Sequence, residues 1–77
     1  PMFTPWVLDQ QDRPDDVGRF AAILWGDINN GCGSSMIRDA VTWKKHFDEV
    51  HPKTSTGLNL LLGEAYTAYV QATTPVA

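Results

Sequence analysis

The chain has 77 residues, of which 43% are apolar and 19% charged, and it carries three tryptophans and a formal charge of -3; this suffices for one small packed domain but not two, and excludes intrinsic disorder. A single cysteine rules out an internal disulfide, no apolar run approaches the roughly 20 residues of a spanning helix, and no charged segment precedes an apolar one as in a secretory leader. A soluble, cytoplasmic domain with no membrane attachment is expected, with Pro1 a remnant ahead of a natural start at Met2.

Thr4 is a good N-cap and Pro5 is harmless at a first helical position, so a short helix is expected from Pro5 to Gln10 or Gln11. "DRPDDVGRFAAILWGDI" repeats the device: Asp12 or Arg13 caps, Pro14 opens, and Asp15 and Asp16 set negative charge at the positive end of the helix dipole. Val17, Phe20, Ala21, Leu24 and Ile28 then recur at spacings of three and four, which is one apolar helix face. "NNGCGSS" stops that helix and supplies Ser34 or Ser35 as the cap of a third, from about Met36 to Glu49 or Val50. Its dry stripe is Met36, Ala40, Trp43, Phe47 and Val50, flanked by Ile37 and Val41; Arg38, Thr42, Lys45 and Glu49 form the wet side. Pro52 ends it, and Thr54, Ser55 or Thr56 caps a fourth helix from about Gly57 to Ala72 with Leu58, Leu61, Leu62, Ala65 and Tyr69 inward. The expected fold class is all-α, one compact domain over 2–72 made of a short first helix and three longer ones, with 73–77 a frayed tail.

"WVLDQQDRPDDVGRFA" from Trp6 to Ala21, together with "EAYTAY" from Glu64 to Tyr69, resembles the YozE-like family of small bacterial proteins. That family shows an aromatic-x-Leu start, a polar turn with Arg and Asp, and a last helix ending in Ala-aromatic-x-x-Tyr. The resemblance covers both ends of the chain; in the middle the family places an aromatic-Pro pair before its third helix, where this chain has "GCGSS". It implies a four-helix SAM-like bundle. The family has no assigned activity, so no catalytic residue carries over, and the link of SAM-like folds to protein association or nucleic acids is an analogy from fold alone.

Candidate chemistry is sparse. "HPKTSTG" sets Lys53 beside hydroxyls at a helix start, but the glycines of a phosphate-binding loop are missing before the lysine, and capping already accounts for the hydroxyls. Cys32 with His46 and His51 has neither the fixed base of an activated thiol nor the spacing of a zinc frame. Asp15 and Asp16 are neighbours on a first turn and point apart, so they are not a catalytic pair. No catalytic residue, cofactor or metal is therefore expected.

Two binding roles compete. A protein-interaction module would use Trp25, which lies beside its helix stripe, with Asp15, Asp16, Tyr66 and Lys53. The alternative is a DNA-binding module in which residues 14–28 and 36–50 act as a helix-turn-helix pair presenting Ser34, Ser35, Arg38, Thr42 and Lys45; the negative net charge disfavours it. Residues 1–27 hold two positive and five negative side chains and residues 28–53 four and three, so copies could also associate head to tail.

Overall fold

Apolar residues spaced by three and four close into helices wherever a cap or a turn delimits them. A computed structural model of the protein describes residues 2–31 and 38–75. Among the described residues it contains four helices and no strand: α1 (Phe3–Leu8), α2 (Asp16–Asn29), α3 (Ala40–Val50) and α4 (Ser55–Thr73). α4 is the hub: α2 and α3 pack mainly against it, and α1 closes over α2 and α4. The core joins Phe3 and Val7 of α1, Val17, Phe20, Ala21 and Leu24 of α2, Trp43 and Phe47 of α3, and Leu62 and Ala65 of α4. The radius of gyration is 11.9 Å, against about 11.5 Å for a compact chain of this length. The all-α four-helix bundle expected from the sequence is the fold observed.

Every helix start differs from its expected place, for local reasons. α1 begins at Phe3 after Met2, which makes no side-chain cap. Thr4 does not cap: it is buried, its hydroxyl donating to the Arg38 carbonyl and accepting from Trp43 Nε1 at 2.8 Å. Pro5 is still tolerated, because it sits in the first turn, whose amides have no partner within the helix. α2 is capped by Asp15, not by Asp12 or Arg13, through a bond from the Gly18 amide at 3.1 Å. Pro14 precedes that cap. At the far end Gly31 takes φ +77°, the left-handed geometry that terminates helices.

α3 starts at Ala40, with Asp39 accepting from the Thr42 amide at 2.8 Å and from its hydroxyl at 2.7 Å. The expected start at Met36 and the expected caps Ser34 and Ser35 lie outside the described residues. α4 starts at Ser55 behind Thr54, with no side-chain cap bond, and the Ser55 hydroxyl turns back to the Pro52 carbonyl at 3.3 Å. The Ser55 hydroxyl therefore closes the turn instead of capping the helix.

The two caps make stability depend on acid. Asp15 is held below the usual carboxylate range, first by its hydrogen bond from Arg13 and then by the Gly18 amide; Asp39 is held low by the Thr42 amide and then its hydroxyl. A carboxyl whose folded-state pKa is depressed contributes stability above its unfolded value, about 3.9, and loses it as pH falls through the lower folded value. The thermal midpoint should drop in that acid window. Asp15→Asn and Asp39→Asn, which retain capping geometry, should each flatten the drop in melts followed by circular dichroism.

Candidate functional site

α4 is unusual in its composition, with Glu64 the sole charge among 19 residues. Leu58, Leu61, Leu62, Ala65 and Tyr69 face the bundle, yet Leu60 is 70% exposed, and Tyr66 and Val70 are also exposed. The outer surface of α4 therefore leaves Leu60, Tyr66 and Val70 uncovered by the fold, among small and polar residues such as Gly63, Glu64 and Thr67.

A groove of about 670 Å³ runs between the start of α2 and this outer face, lined by Asp15, Asp16 and Val17 on one side and Leu60, Gly63 and Glu64 on the other. The acids of α2 are there because a helix N-terminus favours negative charge, and the packing of α2 on α4 brings them to Glu64. The Glu64 carboxyl is pushed above its ordinary range, first by a hydrogen bond with the Asp16 carboxyl, then by the charge of Asp16, burial, and the charge of Asp15. Arg13 engages Asp15 at 2.8 Å, whereas Arg19 reaches Asp16 only at 3.9 Å. The rim thus holds like charges that are incompletely neutralised, above an apolar floor.

A second groove, about 520 Å³, lies between α3 and α4 and is lined by Val41, Leu62 and Tyr66 with Lys44 and Asn59. Its N–H donors have partners, while Asn59 Oδ1 is buried and accepts no hydrogen bond among the described residues. Lys44 Nζ and Asn59 Nδ2 both donate to Asp48, at 2.9 and 3.1 Å.

The residues expected to bind protein are thus distributed over several places. Asp15 and Asp16 line the acidic groove and Tyr66 the other one. Trp25 is 48% exposed on the C-terminal half of α2 and lines neither groove, and Lys53 is exposed in the turn before α4. Of the residues expected to contact DNA, Ser34 and Ser35 lie outside the described residues. The Arg38 guanidinium sits 5.1 Å over the Trp43 ring, Thr42 is bonded to Asp39, and Lys45 is exposed. α2 ends at Asn29 and α3 starts at Ala40, and residues 32–37 between them lie outside the described residues. Leu60 and Glu64 belong to the site and were not anticipated.

Sequence reasoning also passes over a third constellation. Asp27 of α2 meets His46 of α3 and His51, the residue that ends α3. His46 Nε2 lies 3.1 Å from Asp27 Oδ2, and His51 Nε2 lies 3.0 Å from the same oxygen and 3.3 Å from Oδ1. Pairing the histidines only with Cys32 leaves Asp27 out, and a spacing of five residues on an ideal helix would point the rings apart. His51 has left the helix, with φ -123° and ψ 56°, and its ring reaches the same carboxylate.

No protein-family model, curated protein or solved structure matches the chain. Among the described residues no helix is long and apolar enough to cross a membrane.

Proposed function

We propose that this four-helix bundle is a non-enzymatic protein-interaction module, adaptor or regulatory in kind, whose α2/α4 groove docks a basic amphipathic segment of a protein partner. The observation that carries the reading is the pairing of an acidic rim (Asp15, Asp16, Glu64) with the exposed apolar Leu60 on an almost uncharged helix. Apolar side chains of the partner would cover Leu60, and its lysines or arginines would relieve the repulsion between Asp16 and Glu64. A like-charge contact that costs stability in the free protein is what a site awaiting a cation would retain. Leu60, in the groove, is the apolar anchor, and Trp25 lies outside it. Kinship with YozE-like, SAM-like proteins, suggested by Trp6–Ala21 and Glu64–Tyr69, belongs to the same proposal.

Titration with a synthetic helical peptide of leucine and lysine, beside its leucine and glutamate counterpart, tests this. The lysine peptide should bind, less tightly as salt rises, and the glutamate peptide should not. Glu64→Gln should separate stability from binding. An acid whose folded-state pKa is raised loses stability as pH rises through that value, so at neutral pH the variant should melt higher than the parent. It should bind the lysine peptide about three- to tenfold more weakly, the worth of one partly screened charge contact. Trp25→Ala should leave the affinity unchanged. Equal binding of both peptides, or an unaltered affinity in Glu64→Gln, would contradict the reading; so would tight, salt-sensitive binding of duplex DNA, or a mass that grows with concentration and indicates a second copy as the occupant.

A further inference from the structure

The constellation of Asp27, His46 and His51 lies apart from the acidic groove and has no part in the proposed docking. Two imidazole nitrogens and a carboxylate oxygen converge there, and the three potential ligand atoms all lie within 4.8 Å of one another. Each histidine Nε2 is 3.0–3.1 Å from Asp27 Oδ2. The edge of a tetrahedron with metal–ligand bonds of about 2.0 Å is about 3.3 Å. Both carboxylate-to-ring separations are therefore already close to a coordination edge, and only the two rings must draw together.

The supporting structure holds these groups from the inner side. The His46 side chain is 4% exposed, and its ring stands edge-on to Trp43 at 5.3 Å and to Phe47 at 5.7 Å. Asp27 is 14% exposed. His51, at 35%, is the open member of the set, and Pro52 behind it keeps its backbone out of the helix. A buried aromatic wall on one side and a solvent-facing ligand on the other form a half-enclosed cup with preorganised donors.

We propose that Asp27, His46 and His51 bind a divalent transition-metal ion of the Zn²⁺ type, with its remaining coordination position open to solvent beside His51. The donor chemistry selects the class. Two imidazoles and one carboxylate suit zinc and its first-row neighbours, whereas Mg²⁺ and Ca²⁺ require oxygen ligands throughout. Three protein ligands with one open position are the pattern of sites that hold an exchangeable water, unlike the closed four-ligand sets of purely structural zinc. Bound there, the ion would tie the C-terminal end of α2 to that of α3, two helices that otherwise pack mainly through α4.

The test uses the full chain in a Cys32→Ser background, so that the single thiol cannot contribute, with any affinity tag removed. Calorimetric titration with Zn²⁺ should give one ion per chain at micromolar affinity or tighter and a raised melting temperature, and Mg²⁺ should give neither. Co²⁺ should give the visible d–d bands of a site with nitrogen donors. Asp27→Asn and His51→Ala should each weaken Zn²⁺ at least tenfold and reduce the Co²⁺ bands while the helical dichroism persists. They are chosen over His46→Ala because His46 is buried and its loss could unfold the chain. Absence of Zn²⁺ binding at micromolar concentration, or parental affinity in a folded His51→Ala variant, would overturn the proposal and leave the three residues as a hydrogen-bonded tie between helices.

Discussion

Trp43→Ala is expected to be strongly destabilising, at about 3–5 kcal/mol. Trp43 is fully buried, stacked on Phe47 at 5.7 Å and lying under the Arg38 guanidinium. Its indole N–H is the donor to Thr4 Oγ1 across 39 residues of sequence, so one side chain ties α1, α3 and the Arg38 strap together. Truncation to alanine removes the transfer energy of the ring, opens a cavity and deprives the Thr4 hydroxyl of its donor, at about 3–5 kcal/mol in all. For a chain of 77 residues, total stability is about 4–12 kcal/mol. Such a loss takes from about a quarter to all of it. Trp43→Phe keeps much of the volume but not the donor and should cost about 1–2 kcal/mol. Urea unfolding followed at 222 nm would rank the parent above Trp43→Phe and that variant well above Trp43→Ala; a loss below about 1 kcal/mol in the alanine variant would refute this account of the core.

Gly18→Ala should be destabilising although glycine-to-alanine changes in helices usually stabilise. Built onto Gly18, a Cβ would lie 2.0 Å from the Arg13 carbonyl oxygen and 2.8 Å from its carbon. Both are backbone atoms, so no side chain can rotate away. The turn holding Arg13 and Pro14 would have to lift from α2, pulling at Asp15, whose carboxylate receives the Gly18 amide. Forced expansion of a packed site costs about 1–3 kcal/mol, and rigid backbone on the other side points to the upper end. Gly26 is the internal control. A Cβ there meets nothing within 4 Å, so Gly26→Ala should stabilise by up to about 1 kcal/mol through its helix propensity. Opposite signs for the two substitutions in the same helix would separate contact from propensity; equal signs would contradict the close approach at Gly18.

Helix interiors were legible in the sequence, as was the end of α3 at Val50 ahead of Pro52, whereas helix starts and sites were not. Val17, Phe20, Ala21 and Leu24 are buried as their spacing requires, and so are Trp43 and Phe47, because a stripe repeated every three or four residues has one way to hide from water. Val50, on the same α3 stripe, is exposed, since the helix ends beside it. The α2 cap was misplaced where several suitable residues stand close together: Asp12, Asp15 and Asp16 carry nearly equal local preference, and tertiary packing chooses Asp15. Thr4 shows the same limit more sharply, its hydroxyl being spent on a partner 39 residues away. Periodicity predicts which way a side chain points within its helix, not which side chain of another helix it will meet. For that reason neither the approach of Glu64 to Asp16 nor that of His46 and His51 to Asp27 could be read from spacing.

The claim that the outer face of α4 is a docking surface for a basic segment can be tested residue by residue. In amide chemical-shift mapping with the leucine–lysine peptide, the largest changes are predicted at Asp16, Leu60, Gly63, Glu64 and Thr67, with α1 nearly silent. Changes centred on α1 or around Trp25, or none across the chain at saturating peptide, would contradict it.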